Sequence, residues 1–387
     1  MNNFIYHNPT KIIFGRDTQK HVGEEVKYYG TKVLIHYGSS RIKANGLFDD
    51  VVSSLKENGL EIFELGGVIP NPRLSLIEQG IKICRDEKID FVLAIGGGSV
   101  MDSAKAIAGG AISDTPIWDY FEKRLAVEKS LPVGNVVTLP ATGSEMNGRC
   151  VITKDDTLEK RGTTFPNPVF SVLNAELMAS LPKNQVANGA VDMFSHCFER
   201  YFTNTENVEI TDRLLEGNMK AIVSLAKDVY EDPSNYDKFS QLAWAGTMAH
   251  NFILDVGRVM DFASHQIEHE ISGMYDVAHG AGLSVVMPAW MKYTYKHDMA
   301  RVAQFGVNVF GITADYMDIE RTALKAIAAM EEWFKTLEMP LTLNEIGVPE
   351  SAIKELASNT TRNDKLIQGN FVKLDAQAVE QILILAL

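Results

Sequence analysis

The chain has 387 residues, 45% hydrophobic and 22% charged, a balance typical of a globular protein long enough for two domains. Its formal net charge of −13 argues against a nucleic-acid or anionic-membrane partner, because both require a basic face. Three scattered cysteines, an N-terminus without a signal-peptide pattern, and no run approaching the about 20 apolar residues of a membrane helix together predict a cytoplasmic protein.

The first half of the chain alternates strand-like and helix-like segments. Short runs rich in β-branched residues predict strands at 32–38, 61–67, 91–98, 136–142, 150–154 and 169–174. Apolar residues at helical spacing predict helices at 46–59, 73–88 and 99–111. This β-α-β repetition predicts a Rossmann-like parallel sheet covered by helices.

The pattern changes after residue 181. Long segments with helical spacing follow one another, with few strand-like runs, at 185–202, 207–228, 236–254, 261–272 and 318–337. We therefore predict an α/β domain at residues 1–181 and an all-helical domain at residues 182–387.

The stretch AIGGGSVMD contains the first chemical signal. A buried strand ends at Ile95, three glycines follow, and a helix is expected to begin near Ser99. Glycines let a ligand approach the backbone, and the unpaired N–H groups of a helix N-terminus suit a pyrophosphate. The same residues also fit a plain strand-to-helix turn with a Ser99–Asp102 capping box. The motif is neither G-x-G-x-x-G nor a P-loop, so a standard dinucleotide site does not follow from it alone.

A second cue follows the first strand of the α/β domain. In dinucleotide enzymes, a carboxylate there usually accepts from the adenosine ribose. This segment instead has hydroxyls and cations, at Ser39, Ser40, Arg41 and Lys43. They would suit the 2′-phosphate of NADP(H), although an ordinary polar loop has the same composition.

Five side chains in the helical half suggest a metal site. Asp192 and His196 are four residues apart, so they share one face of a helix. His265 and His269 form a similar pair, and His279 follows a turn after the second helix. Carboxylates and imidazoles from separate segments are typical of a divalent metal shell.

Two interpretations of these residues remain open at this point. The sequence H-x-x-E-H, with Glu268 between two histidines, matches an inverted zinc-peptidase motif. Alternatively, the metal is a Lewis acid that acts beside a nicotinamide. The second interpretation also uses Asp192, His196 and the glycine loop. We interpret His250 as a core histidine and Cys197 as a packing residue.

Taken together, the motifs resemble the iron-containing (group III) alcohol dehydrogenases, most closely their NADPH-dependent aldehyde reductase and butanol dehydrogenase branch. The resemblance covers essentially the whole chain. It rests on NFIYHNPTKIIFG, GGVIPNP, FVLAIGGGSVMDSAKAIA, TLPATGSEMN, LPKNQVANGAVDMFSHCFERYF and HQIEHEISGMYDVAHGAGLSVVMPAW. It implies the fold shared with dehydroquinate synthase: an α/β domain followed by an all-α domain. One departure is Asn174-Ala175, where the family often has Asp-Pro.

The resemblance also implies roles for individual residues. It places the metal ligands at Asp192, His196, His265 and His279, and puts His269 near the nicotinamide and substrate as the candidate catalytic residue. The implied cofactor-binding residues are Gly38, Ser39, Ser40, Asn71, Gly97, Gly98, Ser99, Asp102, Thr138, Leu139, Thr142, Asn147 and Lys160. NAD-preferring relatives have an aspartate where Ser39 aligns.

The implied function is reversible hydride transfer between NADP(H), less so NAD(H), and an aldehyde/primary alcohol pair. The metal would be Fe(II) or Zn(II), with Ni(II) and Co(II) as further candidates, and the protein a homodimer. Alternatives on the same fold are a glycerol-type polyol dehydrogenase and a metal-dependent lyase. A metal- and nucleotide-binding protein without catalysis is a third class.

Overall fold

The structure is a computed structural model that describes residues 1–387, and its strands all lie in the first half of the chain. They are β1 (Lys11–Phe14), β2 (Lys32–Tyr37), β3 (Glu61–Leu65), β4 (Phe91–Gly96), β5 (Val133–Val137), β6 (Arg149–Thr153), β7 (Lys160–Thr164) and β8 (Phe170–Leu173). Six strands form one parallel sheet in the order β1-β8-β5-β4-β2-β3, and β6 pairs antiparallel with β7. The predicted parallel sheet is confirmed.

Helices separate these strands and make up most of the second half. They are α1 (Val22–Val26), α2 (Arg41–Ala44), α3 (Leu47–Glu57), α4 (Leu74–Asp86), α5 (Gly98–Ile112), α6 (Ile117–Glu122), α7 (Lys183–Tyr201), α8 (Glu209–Glu231), α9 (Tyr236–Ala249), α10 (Ala263–Tyr275), α11 (His279–Thr294), α12 (Met299–Phe310), α13 (Ile319–Thr336), α14 (Ile353–Thr360) and α15 (Ala376–Ile384). The predicted combination of an α/β half and an all-helical half is confirmed. None of these helices is both long and apolar enough to span a bilayer.

The contacts within the chain define two units. The α/β unit comprises residues 7–181 and 234–247, and the helical unit comprises residues 1–6, 182–233 and 248–387. Residues 234–247, which include most of α9, are thus grouped with the α/β unit. Trp244 packs edge-on against Phe14, and the Thr247 hydroxyl donates to Glu145, which accounts for this grouping.

The central strands of the sheet are buried along their whole length. Every residue of β4 and β5 is buried, as expected for parallel strands with both faces covered. The strand predicted at 136–142 instead covers Val133–Val137. Gly134 pairs with both neighbouring strands, and a side chain there would be crowded, because a Cβ would lie 2.6 Å from the Phe170 ring. The strand ends before Pro140, which has no N–H for a sheet.

The helical unit surrounds α7. Every residue from Gly189 to Tyr201 is buried, so α7 is covered on all sides. Its Phe194 ring lies 4.7 Å from that of Trp333 on α13 and contacts further aromatic rings. Polar side chains on such a helix are held away from water and need partners inside the protein.

At Asn174 the chain departs from the resembled family without losing the local turn. The Asn174 side chain accepts from the Glu176 backbone N–H and caps the short 3₁₀ helix Ala175–Met178. Its amide also donates to Gln19. Asparagine therefore keeps the capping interaction that an aspartate would supply here.

Candidate functional site

Helix α7 places Asp192 and His196 on one buried face, as their spacing predicted. Both side chains are at most 6% exposed, and His196 Nε2 lies 3.6 Å from Asp192 Oδ1. That separation is too long for a hydrogen bond. The two groups therefore face each other at a distance that leaves room for a third partner.

Helices α10 and α11 bring two further imidazoles to the same carboxylate oxygen. His265 Nε2 lies 3.8 Å from Asp192 Oδ1, and His279 Nε2 lies 3.6 Å from it. His279 is the first residue of α11. Gly280 permits this position, because a Cβ there would overlap the backbone oxygen of Asn188 on α7.

These atoms fit a shared cation. Asp192 Oδ1 and His265 Nε2 are buried without a hydrogen-bond partner, which is costly unless another group satisfies them. Two ligands each about 2.1 Å from one tetrahedral ion are about 3.4 Å apart, close to the separations here. The ligand atoms of Asp192, His265 and His279 all lie within 4.8 Å of one another. His196 joins them through Asp192.

The charges at the cluster influence one another. Burial alone would raise the pKa of Asp192, but the neighbouring histidines outweigh it and lower this pKa. Burial would lower the pKa of His265, but Glu199 and Asp192 raise it to about 9. The pKa of His196 falls well below its usual value because of burial and the positive charge of its neighbours. His196 therefore stays neutral, with a lone pair available for a metal.

Two carboxylates contact the candidate ligands: Glu199, which the sequence did not single out, and Glu268, which it indicated only as part of H-x-x-E-H. Glu199 Oε2 bonds His265 Nδ1, and Glu268 Oε2 bonds His279 Nδ1. Glu199 and Glu268 are almost completely buried. A signal for Glu199 was present in the sequence, because it lies three residues after His196 and shares its helical face.

The position of Glu268 does not fit the zinc-peptidase interpretation of H-x-x-E-H. Such a glutamate must reach a water molecule on the metal. Here Glu268 is 0% exposed, and its oxygens contact His279 and the Ser272 hydroxyl. His269 is partly exposed, and its ring centroid lies 5.5 Å from that of His279. Glu268, His269 and His279 also offer atoms within 4.8 Å of one another.

His250 lies closer to the cluster than the sequence indicated. It is buried, its Nδ1 is 3.1 Å from an Arg200 nitrogen, and its ring centroid is 4.0 Å from that of His196. Arg200 also donates to the His196 carbonyl and pairs with Asp255. The pKa of His250 falls well below its usual value, chiefly through burial. His250 is a buried, hydrogen-bonded core histidine, in agreement with its interpretation from the sequence, and it also adjoins His196.

In the α/β unit, the glycine loop joins β4 to α5. Gly97 precedes the helix and no side chain caps it, so the alternative of a Ser99–Asp102 capping box does not hold. The helix begins at Gly98, before Ser99. A Cβ on Gly98 would lie 2.5 Å from Thr142 Cγ2, and one on Gly97 would lie 3.0 Å from Leu139 Cβ. The glycines thus let residues 138–142 pack directly on the loop.

Asp102 and Asn147 make hydrogen bonds with the loop around Ser144. Asp102 accepts from the Ser144 hydroxyl at 2.6 Å and from the Val151 N–H at 2.8 Å. The Asn147 amide donates to the Gly143 carbonyl at 2.8 Å. The buried Lys105 ammonium donates to Ser144 at 2.7 Å. These contacts fix the loop around Ser144 to α5, so Asp102 and Asn147 hold the loop in place.

The predicted adenosine end follows β2. Ser39 and Ser40 are exposed and Gly38 is partly exposed. Lys43 donates to Glu64 at 2.8 Å, and the Arg41 side chain bonds the Ser180 carbonyl. The carboxylate of Glu64 also lies near this loop, and residues 38–43 alone do not reveal it, because Glu64 belongs to the neighbouring strand β3. Its contact partly neutralises Lys43.

The sheet brings most of the predicted cofactor residues to one edge. Gly38–Ser40 follow β2, Asn71 follows β3, Gly97–Ser99 follow β4, and Thr138–Asn147 follow β5. Thr138 N–H donates to the Gly96 carbonyl at 3.0 Å. Asn71 has φ 56°, which asparagine tolerates better than most residues. Lys160 begins β7, and its charge acts on Asp102.

The strand order reverses direction between β2 and β4, and open α/β sheets typically have a crevice at such a point. The chain passes from β2 to β3 on one side, and β4 then lies on the other side of β2. Ligands of open α/β sheets bind at such a reversal, outside the carboxyl ends of the strands. The loops after β2 and β4 flank it, which supports a nucleotide site there.

The sequence matches two family models, one for each half. The model described as iron-containing alcohol dehydrogenase matches residues 9–175, and the C-terminal model of the Fe-containing alcohol dehydrogenase family matches residues 186–387. The chain is 41% identical over 386 residues to probable NADH-dependent butanol dehydrogenase 2 of Bacillus subtilis (strain 168), covering 99% of both chains. It is 36% identical over 361 residues to the NADPH-dependent aldehyde reductase YqhD of Escherichia coli (strain K12), covering 92% of both.

Solved structures show the same similarity. NADH-dependent butanol dehydrogenase A from Thermotoga maritima superposes with a TM-score of 0.95 at 41% identity, covering 100% of this chain and 99% of that one. A crystal structure of Escherichia coli YqhD also gives a TM-score of 0.95, at 32% identity and with the same coverage.

Proposed function

Because the chain belongs to the iron-containing alcohol dehydrogenase family, we propose that it is a metal-dependent, nicotinamide-dependent aldehyde reductase and alcohol dehydrogenase. The reaction is an aldehyde plus NAD(P)H and a proton giving a primary alcohol and NAD(P)⁺. The observation that carries the proposal is the convergence of three imidazole nitrogens to within 3.6–3.8 Å of the unpartnered Asp192 Oδ1. Relatives named butanol dehydrogenase and aldehyde reductase support the substrate class.

Asp192, His196, His265 and His279 are the proposed ligands of one divalent metal. When bound, such an ion is a Lewis acid that stabilises negative charge on a substrate oxygen. Three imidazoles and a carboxylate suit Fe(II), Zn(II), Co(II) and Ni(II), and the family name favours iron. Asp192, His196 and His265 are buried and the His279 side chain is 25% exposed, so most of the ligand set is shielded from water, which strengthens electrostatic interactions in the site.

We propose His269 as the residue that supplies the proton to the substrate oxygen. It lies one turn after His265 on α10, and it is partly exposed whereas His265 is buried. Partial exposure allows proton exchange with water, and an imidazole is suited to transfer protons near neutral pH. The hydride comes from the dihydronicotinamide of the cofactor.

For the cofactor, we propose NADP(H) over NAD(H). The loop after β2 has the hydroxyls of Ser39 and Ser40 where an acidic residue would repel a 2′-phosphate. Arg41 adds a cation beside them. The alternative is favoured by the Bacillus subtilis relative, which is named NADH-dependent, and by the Lys43–Glu64 pair.

Substitution of Ser39 by aspartate tests this cofactor preference. We expect Ser39→Asp to raise KM for NADPH and shift the ratio of kcat/KM values toward NADH by about 10-fold or more, since one charge repulsion is worth about 1–2 kcal/mol. Ser39→Ala, which removes the same hydroxyl without adding a charge, is the matched control and should shift the ratio much less. An unchanged ratio in Ser39→Asp would show that the 2′-phosphate, if bound, contacts other residues.

The decisive assay follows absorbance at 340 nm. The purified protein is loaded with Fe(II) or Zn(II) and mixed with NADPH or NADH and a series of linear aldehydes. We expect oxidation of the cofactor with butanal and loss of activity after chelation. Nucleotide binding without any absorbance change across the series would favour a binding protein and contradict the proposed function.

We further propose a cytoplasmic homodimer. Strand β1 lies at the edge of the parallel sheet, and Phe14 on it is 43% exposed. An edge strand has unpaired backbone groups that can pair with a second chain. Light scattering coupled to size exclusion should give twice the mass of the chain, and a monomer mass would contradict this assembly.

A further inference from the structure

The two carboxylates beside the candidate ligands each connect two helices. Helix α7 supplies Asp192 and His196, and also Glu199, which bonds His265 on α10. Helix α10 in turn supplies Glu268, which bonds His279 on α11. Helix α7 therefore contacts a candidate ligand on α10, and helix α10 contacts a candidate ligand on α11.

Both carboxylate oxygens of Glu199 bond the same residue. Its Oε1 accepts from the His265 backbone N–H at 3.0 Å, and its Oε2 bonds His265 Nδ1. His265 lies in the first turn of α10, where backbone N–H groups lack helical partners. Glu199 therefore fixes both the start of α10 and the orientation of the imidazole ring.

Glu268 has a comparable arrangement with different partners. Its Oε2 bonds His279 Nδ1, and its Oε1 accepts from the Ser272 hydroxyl, which also donates toward the Val277 carbonyl. Gly282 leaves space for it, because a Cβ there would lie 2.7 Å from Glu268 Cγ. Gly280 thus lets α11 pack closely on α7, and Gly282 leaves space for the Glu268 side chain.

Because Glu199 and Glu268 are buried, their hydrogen bonds indicate what these carboxylates do. A buried carboxylate is expensive unless its oxygens are satisfied. Glu199 is 1% exposed and Glu268 is 0% exposed. A hydrogen bond at Nδ1 fixes the tautomer of a histidine and directs its other nitrogen to a metal. In both histidines that nitrogen is Nε2, the atom 3.6–3.8 Å from Asp192 Oδ1.

We propose that Glu199 and Glu268 are positioning residues of the metal centre, which hold His265 and His279 so that both Nε2 atoms face Asp192. This inference rests on the proposed metal site. His196 has no such carboxylate, and its Nδ1 is buried without a hydrogen bond. Two of the three imidazoles are therefore oriented by carboxylates, and the third depends on its place within α7.

The test measures metal affinity without cofactor or substrate. Co(II) is titrated into the metal-free protein against a competing chelator, and its visible absorption reports the coordination geometry. Glu199→Met and Glu268→Met keep the side-chain length but remove the acceptors. We expect each to weaken Co(II) binding by about 10- to 100-fold and to alter the visible spectrum.

The amide variants distinguish the two positions. In Glu268→Gln, the new amide can still accept from His279 Nδ1 through its oxygen and donate to Ser272 through its nitrogen. This variant should therefore restore most of the affinity lost in Glu268→Met. Glu199→Gln has one acceptor for two donors of His265 and should recover less. Equal losses in all four variants would overturn the positioning role in favour of a purely electrostatic one.

A buried carboxylate away from the ligands serves as the control. Glu216 is 4% exposed and accepts from Tyr201 and Gln304 within the same unit. Glu216→Met should lower the melting temperature but leave Co(II) affinity unchanged. Wild-type affinity in folded Glu199→Met and Glu268→Met would overturn the positioning role alone. Failure of the wild-type protein to bind Co(II) would overturn the metal site itself, and with it the proposed function.

Discussion

The two candidate sites are built from different materials. In the helical unit, charged and imidazole side chains converge, and some of their atoms are left without hydrogen bonds. In the α/β unit, the glycine loop provides backbone, while Asp102 and Asn147 are already bonded within the protein. The first arrangement suits a compact cation, which side-chain ligands can surround. The second suits an extended anion that backbone N–H groups can contact.

Removal of one ligand should have the largest effect of the changes considered. If about 12 kcal/mol of metal-binding free energy is shared by four ligands, loss of one costs about 3 kcal/mol, or about 100-fold or more in affinity. We expect His265→Ala to lose the metal, measured by elemental analysis after dialysis, and activity with it. His269→Ala should retain about one metal per chain and show reduced turnover.

The His269→Ala variant distinguishes between two possible positions of the metal. Because Glu268, His269 and His279 also lie within reach of one another, a metal could bind on that side instead. Loss of metal from His269→Ala, with retention in His265→Ala, would place the ion there and remove His269 as the proton donor.

Added side-chain volume in the glycine loop should lower nucleotide affinity, because the loop provides backbone and not charged side chains. A Cβ on Gly98 would meet Thr142 at 2.5 Å, so Gly98→Ala must displace the 138–142 segment. Overpacking costs about 1–3 kcal/mol, which predicts a loss in nucleotide affinity of roughly 10-fold. Isothermal titration with NADPH and NADH measures it, and metal content should not change.

Gly217 on α8 provides the control, since a Cβ there would meet nothing within 4 Å. Gly217→Ala should leave nucleotide affinity unchanged and stabilise the helix by up to about 1 kcal/mol. If Gly98→Ala bound nucleotide as tightly as the wild-type protein, the loop would be a packing turn and the cofactor site would lie elsewhere.

The sequence indicated which candidate ligands would share a helix face, but not what would surround them. Asp192 and His196 were found because helical periodicity places positions i and i+4 together, a local rule. The contacts of Glu199 with His265 and of Glu268 with His279 were not predicted, because the partners come from other helices, at separations of 66 and 11 residues. Spacing within one segment contains no information on which segment packs beside it.

The α/β unit shows the same limit from another direction. The parallel sheet was predictable because its strands are nearly continuous apolar runs. Two other features were not predictable: α5 begins at Gly98, and Glu64 lies beside Lys43. Both depend on how β2, β3, β4 and the 138–142 segment pack. Likewise, helix α9 groups with the α/β unit through Trp244 and Thr247, although its sequence reads as one of a run of helices.

His36 offers the smallest and most specific test, because it is a histidine of the α/β unit with both ring nitrogens engaged. It is fully buried in β2, with Nδ1 at 2.8 Å from the Leu65 carbonyl and Nε2 at 2.8 Å from the Ser103 hydroxyl. Burial lowers its pKa from 6.5 to about 4, despite the bond to Leu65. Unlike the proposed histidine ligands of the helical unit, it has no nitrogen left for a metal.

The unfolded chain therefore takes up this proton near pH 6.5, whereas the folded chain takes it up only near pH 4. Acidification across that window favours unfolding, by about 1 kcal/mol between about pH 6.5 and about pH 5.5. His36→Gln removes the titrating group, so its free energy of unfolding, from urea titrations at both pH values, should fall by about 1 kcal/mol less than that of the wild-type protein. Its metal content should equal the wild-type value. If both proteins lost the same stability on acidification, His36 would not be the buried neutral histidine that its two hydrogen bonds indicate, and the contrast between histidines of the two units would fail.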